Sequence, residues 1–317
     1  MLLVLLLPLL GNPTVVHGYG GPLRRRNHPS LAATRQDSNP HHSDPPDAAA
    51  AASGYDRRIF WQRLVGTTVA ATTMGVPFSI LPSAALSPDE AATAYNSYAE
   101  TYDALDAGQA ASVLGIDEAR ATLFAKATGR VLEIGTGTGL NLYRYNPTQV
   151  TSLTLLDISS GMLQQAQQRL DQDPILQRQW KDIPIQWVQA DATTELVSTF
   201  GPGTFDTVVD SFSLCVMGNE GAKQCLVQLK QVVKPQTDGS GVGGGKILLL
   251  ENSRSTNPFL AQYQDVTATT AAKAGGKGCV YNQDVRAMID ATPGMVVEKE
   301  VAYAAGLFRS FECSVQL

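Results

Sequence analysis

Glu133-Ile134-Gly135-Thr136-Gly137-Thr138-Gly139-Leu140-Asn141 sets three glycines at alternate positions, directly after the short apolar run Arg130–Ile134. Glycine permits a tight turn and lets a ligand approach the backbone closely, so this spacing is that of a cofactor loop between a strand and a helix. A dinucleotide loop needs G-x-G-x-x-G with its pyrophosphate on the helix N-terminus. Here the third glycine comes one residue too early. Asp157 ends the next apolar run. A carboxylate there can accept both hydroxyls of a ribose, in charge-assisted bonds worth roughly 1.5–3 kcal/mol each. Gln189-Ala190-Asp191-Ala192 ends a third run. Phe205-Asp206-Thr207-Val208-Val209-Asp210 forms a fourth, and Ser211-Phe212-Ser213 follows. Open α/β sheets bind ligands at this carboxyl edge.

These residues need strands to hold them, and the sequence supplies five. The expected strands are Arg130–Ile134, Ser152–Leu156, Ile185–Gln189, Thr207–Asp210 and Lys246–Leu250. Helical spacing occurs over 89–103, 116–127, Gly161–Leu170 and Ala222–Val233, with more helix over 255–293. Ser87-Pro88-Asp89-Glu90 has the hydroxyl, proline and acids of a helix start. Residues 295–302 and 308–316 read as a terminal antiparallel strand pair, and Gly239–Gly245 as a surface loop. Strands alternating with helices imply a doubly wound α/β domain with a mainly parallel sheet covered on both faces.

Composition removes several chemistries. Of 317 residues, 44% are apolar and 17% charged, which is the globular range. All four histidines (His17, His28, His41, His42) precede residue 43, so a domain starting near residue 87 has none. Histidine bases, Ser-His-Asp triads and His-bound zinc are then excluded from it. Cys215, Cys225, Cys279 and Cys313 are widely spaced and form no C-x-x-C, so no metal site is expected. Residues 1–85 carry seven Arg and four Asp, a net +3; the remainder carries 17 basic and 25 acidic residues, a net −8. A domain that acidic is unsuited to a phosphate backbone, so nucleic acid is not expected as substrate.

The E-x-G-x-G-x-G spacing resembles motif I of the class I S-adenosylmethionine-dependent methyltransferases. Asp157-Ile158-Ser159-Ser160-Gly161-Met162-Leu163-Gln164-Gln165-Ala166 is similar to that family's D-x-S-x-x-M-L-x-x-A stretch, and Phe205–Asp210 to its motif IV. Tyr95-Asn96-Ser97-Tyr98-Ala99-Glu100-Thr101-Tyr102-Asp103 looks like the lid helix of the ubiquinone/menaquinone-biosynthesis (methyltransferase type 11) group. The resemblance implies a Rossmann-like sheet of seven strands, order 3-2-1-4-5-7-6, parallel with an antiparallel last strand. It implies S-adenosyl-L-methionine as cofactor, held by Tyr102, Glu133, Gly135, Thr136, Gly137, Gly139, Asn141, Asp157, Ile158, Met162, Asp191, Ala192, Ser211 and Phe212. Ile158, Met162 and Asp191 fall on the adenine side in that comparison.

The acceptor is less legible. The expectation is a small, hydrophobic quinol, phenol or thiol, with Tyr95, Tyr98, Glu251 and Arg254 as candidates to position it and Asn257–Tyr281 as its lid. Ser213-Leu214-Cys215-Val216 and Leu250-Glu251-Asn252-Ser253-Arg254-Ser255 resemble a branch of organelle and membrane-associated methyltransferases that includes thiol methyltransferases. That branch often has Glu-His where this chain has Glu251-Asn252, which removes a potential base. Asp210-Ser211-Phe212-Ser213 lacks the proline pair of N/D-P-P-Y, which argues against methylation of base amines. A second reading keeps fold and cofactor without turnover, as an organelle assembly factor. A NAD-type oxidoreductase fails on glycine spacing.

The first 86 residues read as an address. Residues 1–18 resemble a signal peptide, with the apolar run LLVLLLPLL too short to span a bilayer. Residues 19–54 are Arg-bearing, lack a hydrophobic period and look like a disordered transit peptide. Residues 55–86, with Arg57-Arg58 before an uncharged run, resemble a twin-arginine export signal or form a membrane anchor. The series suits a plastid (chloroplast), thylakoid included, with the mitochondrion as the alternative. The domain proper is expected over 87–317.

Overall fold

Period-two burial along the central strands sets the architecture. In β1 (Gly129–Ile134), Leu132 and Ile134 face one core while Val131 faces the other. In β4 (Thr207–Ser211) Val208 and Val209 divide in the same way. In β5 (Lys246–Asn252), Ile247 and Leu249 oppose Leu248 and Leu250. All of these are fully buried. A strand apolar on both faces must be covered on both, which is the doubly wound arrangement.

A computed structural model describes residues 85–103, 114–236, 243–274 and 278–316. The remaining strands are β2 (Val150–Asp157), β3 (Ile185–Gln189), β6 (Met295–Tyr303) and β7 (Phe308–Val315). The sheet order is β3-β2-β1-β4-β5-β7-β6. β1 to β5 run parallel, and β7 is antiparallel to both β5 and β6. This is the expected topology. The order reverses at β1, so the β1 and β4 ends flank the crevice where such sheets take ligands.

Eight α-helices are described: α1 (Pro88–Tyr98), α2 (Ile116–Phe124), α3 (Ser160–Gln172), α4 (Pro174–Trp180), α5 (Leu196–Phe200), α6 (Leu214–Val232), α7 (Pro258–Ala274) and α8 (Val285–Asp290). α1 starts where expected, with a full capping box: Glu90 N donates to Ser87 Oγ, and Ser87 N donates to Glu90 Oε2 at 2.9 Å. It ends at Tyr98 rather than 103, passing into a 3-10 turn, Ala99–Thr101.

The glycine loop departs from expectation in one respect. It runs into a single 3-10 turn, Leu140–Tyr143, rather than an α-helix. Asn146-Pro147 follows closely, and a residue before proline is driven out of the helical region. α6 is longer than its spacing suggested, because it continues through a non-helical kink at Gly218 (φ 67°). α4 and α5 were not anticipated; they are short, and α4 is started by Asp173, whose carboxylate accepts from Ile175 N at 2.7 Å. The addresses expected over 1–18, 19–54 and 55–86, apart from Ala85 and Leu86, and the heart of the Gly239–Gly245 loop lie outside the described residues. Among the described residues no helix is long and apolar enough to cross a membrane.

Candidate active site

The glycine loop is shaped from below. Gly135, Gly137 and Gly139 all have positive φ (56°, 58° and 77°). A side chain at Gly135 would drive its Cβ to 2.5 Å from Ser213 Cβ, so packing alone demands glycine there. At Gly137 the new Cβ would meet nothing nearer than Gly135 O at 4.0 Å. Only backbone conformation and open space in front of the loop call for glycine at that position.

Asp157, at the end of β2, is buried and faces the loop. Gly137 N donates to its Oδ2 at 2.8 Å, and Ser159 N to its Oδ1 at 2.8 Å. The Ile158 amide also acts on this carboxylate, which as an acceptor with about four lone-pair sites keeps capacity for a further donor. Burial raises this carboxyl to about 6, against the lowering effect of the Ser159, Gly137 and Ile158 amides. Glu133 supports the loop from the strand side. It is buried, accepts from Asn141 Nδ2 at 2.8 Å and from Tyr145 Oη at 2.7 Å, and is raised by burial to about 7. Asn141 also donates to Ser211 Oγ at 3.1 Å, which joins the loop to the end of β4. Its Oδ1 is buried with no partner among the described residues. Thr136 is buried, and its amide donates to Leu156 O at 3.1 Å.

The third expected edge is at β3. Asp191 Oδ1 accepts from the amide and hydroxyl of Thr193 at 2.8 and 2.7 Å, and Ala192 is buried beside it. Ile158 is half-buried; Met162 is wholly buried within α3. At the end of β4, Phe212 holds φ 63°, a costly conformation for a non-glycine residue. Its ring packs edge-on to Phe308 with centroids 5.7 Å apart, and the Arg120 guanidinium lies over it at 5.1 Å.

α1 packs against α3 beside this edge. Asn96 Oδ1 accepts from Ser159 Oγ at 2.7 Å and Gly161 N at 2.8 Å, which fixes α1 to the start of α3. Asp103 accepts from Thr138 Oγ1 at 2.5 Å and pairs with Arg169. Between these anchors Tyr95, Tyr98 and Tyr102 form one aromatic group, with centroids 5.1, 6.2 and 6.3 Å apart. The Tyr95 phenol is pushed well above its usual range by burial, then by Tyr102 and Tyr98, then by Cys215 and Cys279. Sequence reasoning had no reason to single out Asn96, although it lies inside the quoted tyrosine stretch. Tyr145 gave no signal, since an irregular turn carries it back to Glu133.

Two of the acceptor-side candidates have other partners. Glu251 is fully buried below the start of α6, where its Oε1 accepts from Ser213 N at 3.0 Å and Leu214 N at 3.3 Å. Asp210, also fully buried, accepts from Ser213 Oγ at 2.5 Å. No N–H or O–H of another described residue reaches Asp210 Oδ2 or Glu251 Oε2; the two carboxyls hydrogen-bond to each other, which requires a proton between them. Burial raises Asp210 to about 6, and burial plus the Asp210 charge holds Glu251 well above the carboxylate range. This carboxyl pair shapes the β4 edge from beneath. Arg254 forms a two-pronged pair with Asp265 (3.0 and 2.7 Å). It lines a cleft of about 590 Å³ with Arg286 and Arg309, and no residue of the glycine loop borders that cleft. Among the described residues no group of three or more metal-ligating side chains occurs.

Residues 131–236 match the family model described as a methyltransferase domain. The chain is similar to the mitochondrial methyltransferase OMS1 of Saccharomyces cerevisiae, 25% identical over 198 residues, or 59% of this chain and 39% of the yeast protein. It therefore spans well under half the length of that relative. Among solved structures it is similar to the [4+2]-cyclase SpnF (TM-score 0.54, 10% identity, 74% of this chain and 97% of that one). It is also similar to the N-methyltransferase NodS of Bradyrhizobium japonicum in complex with S-adenosyl-L-homocysteine (TM-score 0.48, 16% identity, 72% and 99% covered).

Proposed function

We propose that this chain, whose residues 131–236 match a methyltransferase-domain family model, transfers a methyl group to a small hydrophobic quinol, phenol or thiol in a mitochondrion. Its cofactor is S-adenosyl-L-methionine, which supplies an activated methyl group on a sulfonium. The observation that carries the reading is the Gly137–Asp157 pair: a glycine with open space before it, tied to a buried carboxylate at the strand end.

The chain's own residues then have separable tasks. Asp157 accepts the two ribose hydroxyls. Gly135 and Gly137 let the amino-acid part approach the backbone, and Glu133, Thr136, Gly139 and Asn141 hold the loop in shape. Ile158, Asp191 and Ala192 border the adenine side, with Met162 behind them in the core. Ser211 and Phe212 form the floor at the end of β4. Tyr102 closes the cofactor side of the lid, and Tyr95 and Tyr98 face the acceptor. Holding two reactants dehydrated and in line is the larger part of such catalysis. No histidine stands in the described residues, so an acceptor that ionises with modest help is the one that fits. α7, with Phe259, Leu260 and Tyr263, supplies an apolar wall for it.

The mitochondrion is favoured over the plastid by the similarity to a yeast mitochondrial protein. The test is transfer of labelled methyl from S-adenosyl-L-methionine to a panel of quinols, phenols and alkyl or aryl thiols. Labelling of one class supports the proposal. Tight cofactor binding without transfer to any of them would favour the assembly-factor reading instead.

A further inference from the structure

Cys215, at the start of α6, and Cys279, between α7 and α8, lie 64 residues apart in sequence yet bring their sulfurs to 2.6 Å. That is well inside the roughly 3.5–4.0 Å at which non-bonded atoms settle. Asn252 Nδ2, at the end of β5, reaches both sulfurs, at 3.4 Å to Cys215 and 3.3 Å to Cys279. The backbone holds the pair in register, since Val280 N donates to Cys215 O at 2.8 Å. Both thiols are free, as are Cys225 and Cys313, which are buried. Cys215 is buried as well, whereas Cys279 is partly exposed. The Tyr95 phenol of the lid helix feels both thiols.

We propose that Cys215 and Cys279 are a reversible thiol–disulfide site, whose bond fastens Gly278–Tyr281 to the start of α6. The partner reagent is a small disulfide, RS–SR. The partly exposed Cys279 reacts first: its thiolate attacks one sulfur, the S–S bond breaks, and one RS⁻ leaves and takes up a proton. Cys215 then gives up its proton and attacks the Cys279 sulfur, expelling the second RS⁻. Two protein thiols lose two electrons and two protons, and RS–SR becomes two RSH. Asn252 steadies both sulfurs as the negative charge passes between them. Neither the pairing nor its test depends on the methyl-transfer reading.

The test uses the full chain treated with oxidised glutathione or with dithiothreitol, then unfolded, alkylated and mapped by peptide mass spectrometry. The expected result is a linked Cys215–Cys279 peptide pair lacking two hydrogens, abolished by dithiothreitol, with Cys225 and Cys313 alkylated throughout. In Cys215→Ser the reaction should stop at a glutathione adduct on Cys279. Hydrogen exchange at the Val280 amide should slow by on the order of tenfold in the linked protein, because opening of that segment is suppressed. Both cysteines remaining alkylatable, or a glutathione adduct that persists in the unmutated chain, would overturn the pairing. An unchanged Val280 rate in the linked protein would overturn the fastening.

Discussion

Gly137 donates its backbone amide to Asp157 Oδ2 at 2.8 Å, so the tip of the glycine loop and the end of β2 form a single unit. The bond sets the loop's height above the sheet and orients the carboxylate at once. Ser159 N holds the other oxygen. The pair is therefore built before any ligand arrives, and little ordering is left to offset binding.

Removing the carboxylate should weaken the cofactor selectively. Asp157→Ala is expected to lower S-adenosylhomocysteine affinity by roughly 2–4 kcal/mol, from the loss of both ribose bonds. Asp157→Asn should lose less, because it keeps one acceptor. Calorimetry beside a thermal melt separates binding from folding; unchanged affinity in a folded variant would remove Asp157 from the site.

Two loop glycines should fail in different ways. At Gly137 an added Cβ meets open space, so Gly137→Ala should fold with a modest loss of about 1 kcal/mol for its positive φ while binding drops at least tenfold. At Gly135 the Cβ strikes Ser213, so Gly135→Ala should lose stability first. Retained binding in Gly137→Ala would place the ligand elsewhere.

Protonation gives a pH dependence with a defined sign. Asp157 is raised to about 6, so cofactor affinity should be flat above neutrality and fall as pH drops below about 6. Stability of the free protein runs the other way. Glu133, Asp157 and Asp210 have folded values (about 7, 6 and 6) above their unfolded ones, so the native state keeps protons that the unfolded chain releases. Their contribution is full below the unfolded values near 4 and is lost as pH rises toward about 7. Glu133→Gln should flatten the decline in melting temperature between pH 5 and 7; an identical slope would contradict a protonated Glu133.

The seating of α1 should depend on Asn96. Asn96→Ala removes both bonds from α1 to the start of α3. With Ser159 Oγ and Gly161 N left to water, the cost should be about 1–2 kcal/mol. Amide exchange in α1 should quicken while the strands keep their protection. Equal protection of α1 in variant and parent would show that the Asp103 anchor and the tyrosine group hold the segment without Asn96.

The sheet was legible because its central strands are apolar on both faces. Strand ends fell within a few residues of expectation, and the order followed from a resemblance carried by the glycine loop and Asp157. What escaped was tertiary. The turn after Gly139 is too short for a helical period, and Pro147 ends it. Tyr145 and Glu133 meet only because that turn folds back. Glu251 reads as a polar group at a strand end, but the amides of Ser213 and Leu214 draw it under α6. Cys215 and Cys279 carry no spacing signal, since their approach is set by where β5 and α6 leave the sheet.

The most direct test is calorimetric titration of the full chain with S-adenosylmethionine and S-adenosylhomocysteine, with NAD as control. Micromolar binding of both sulfur ligands and none of NAD is the predicted result. A folded protein that binds neither would contradict the assignment of the Gly137–Asp157 unit as a cofactor site.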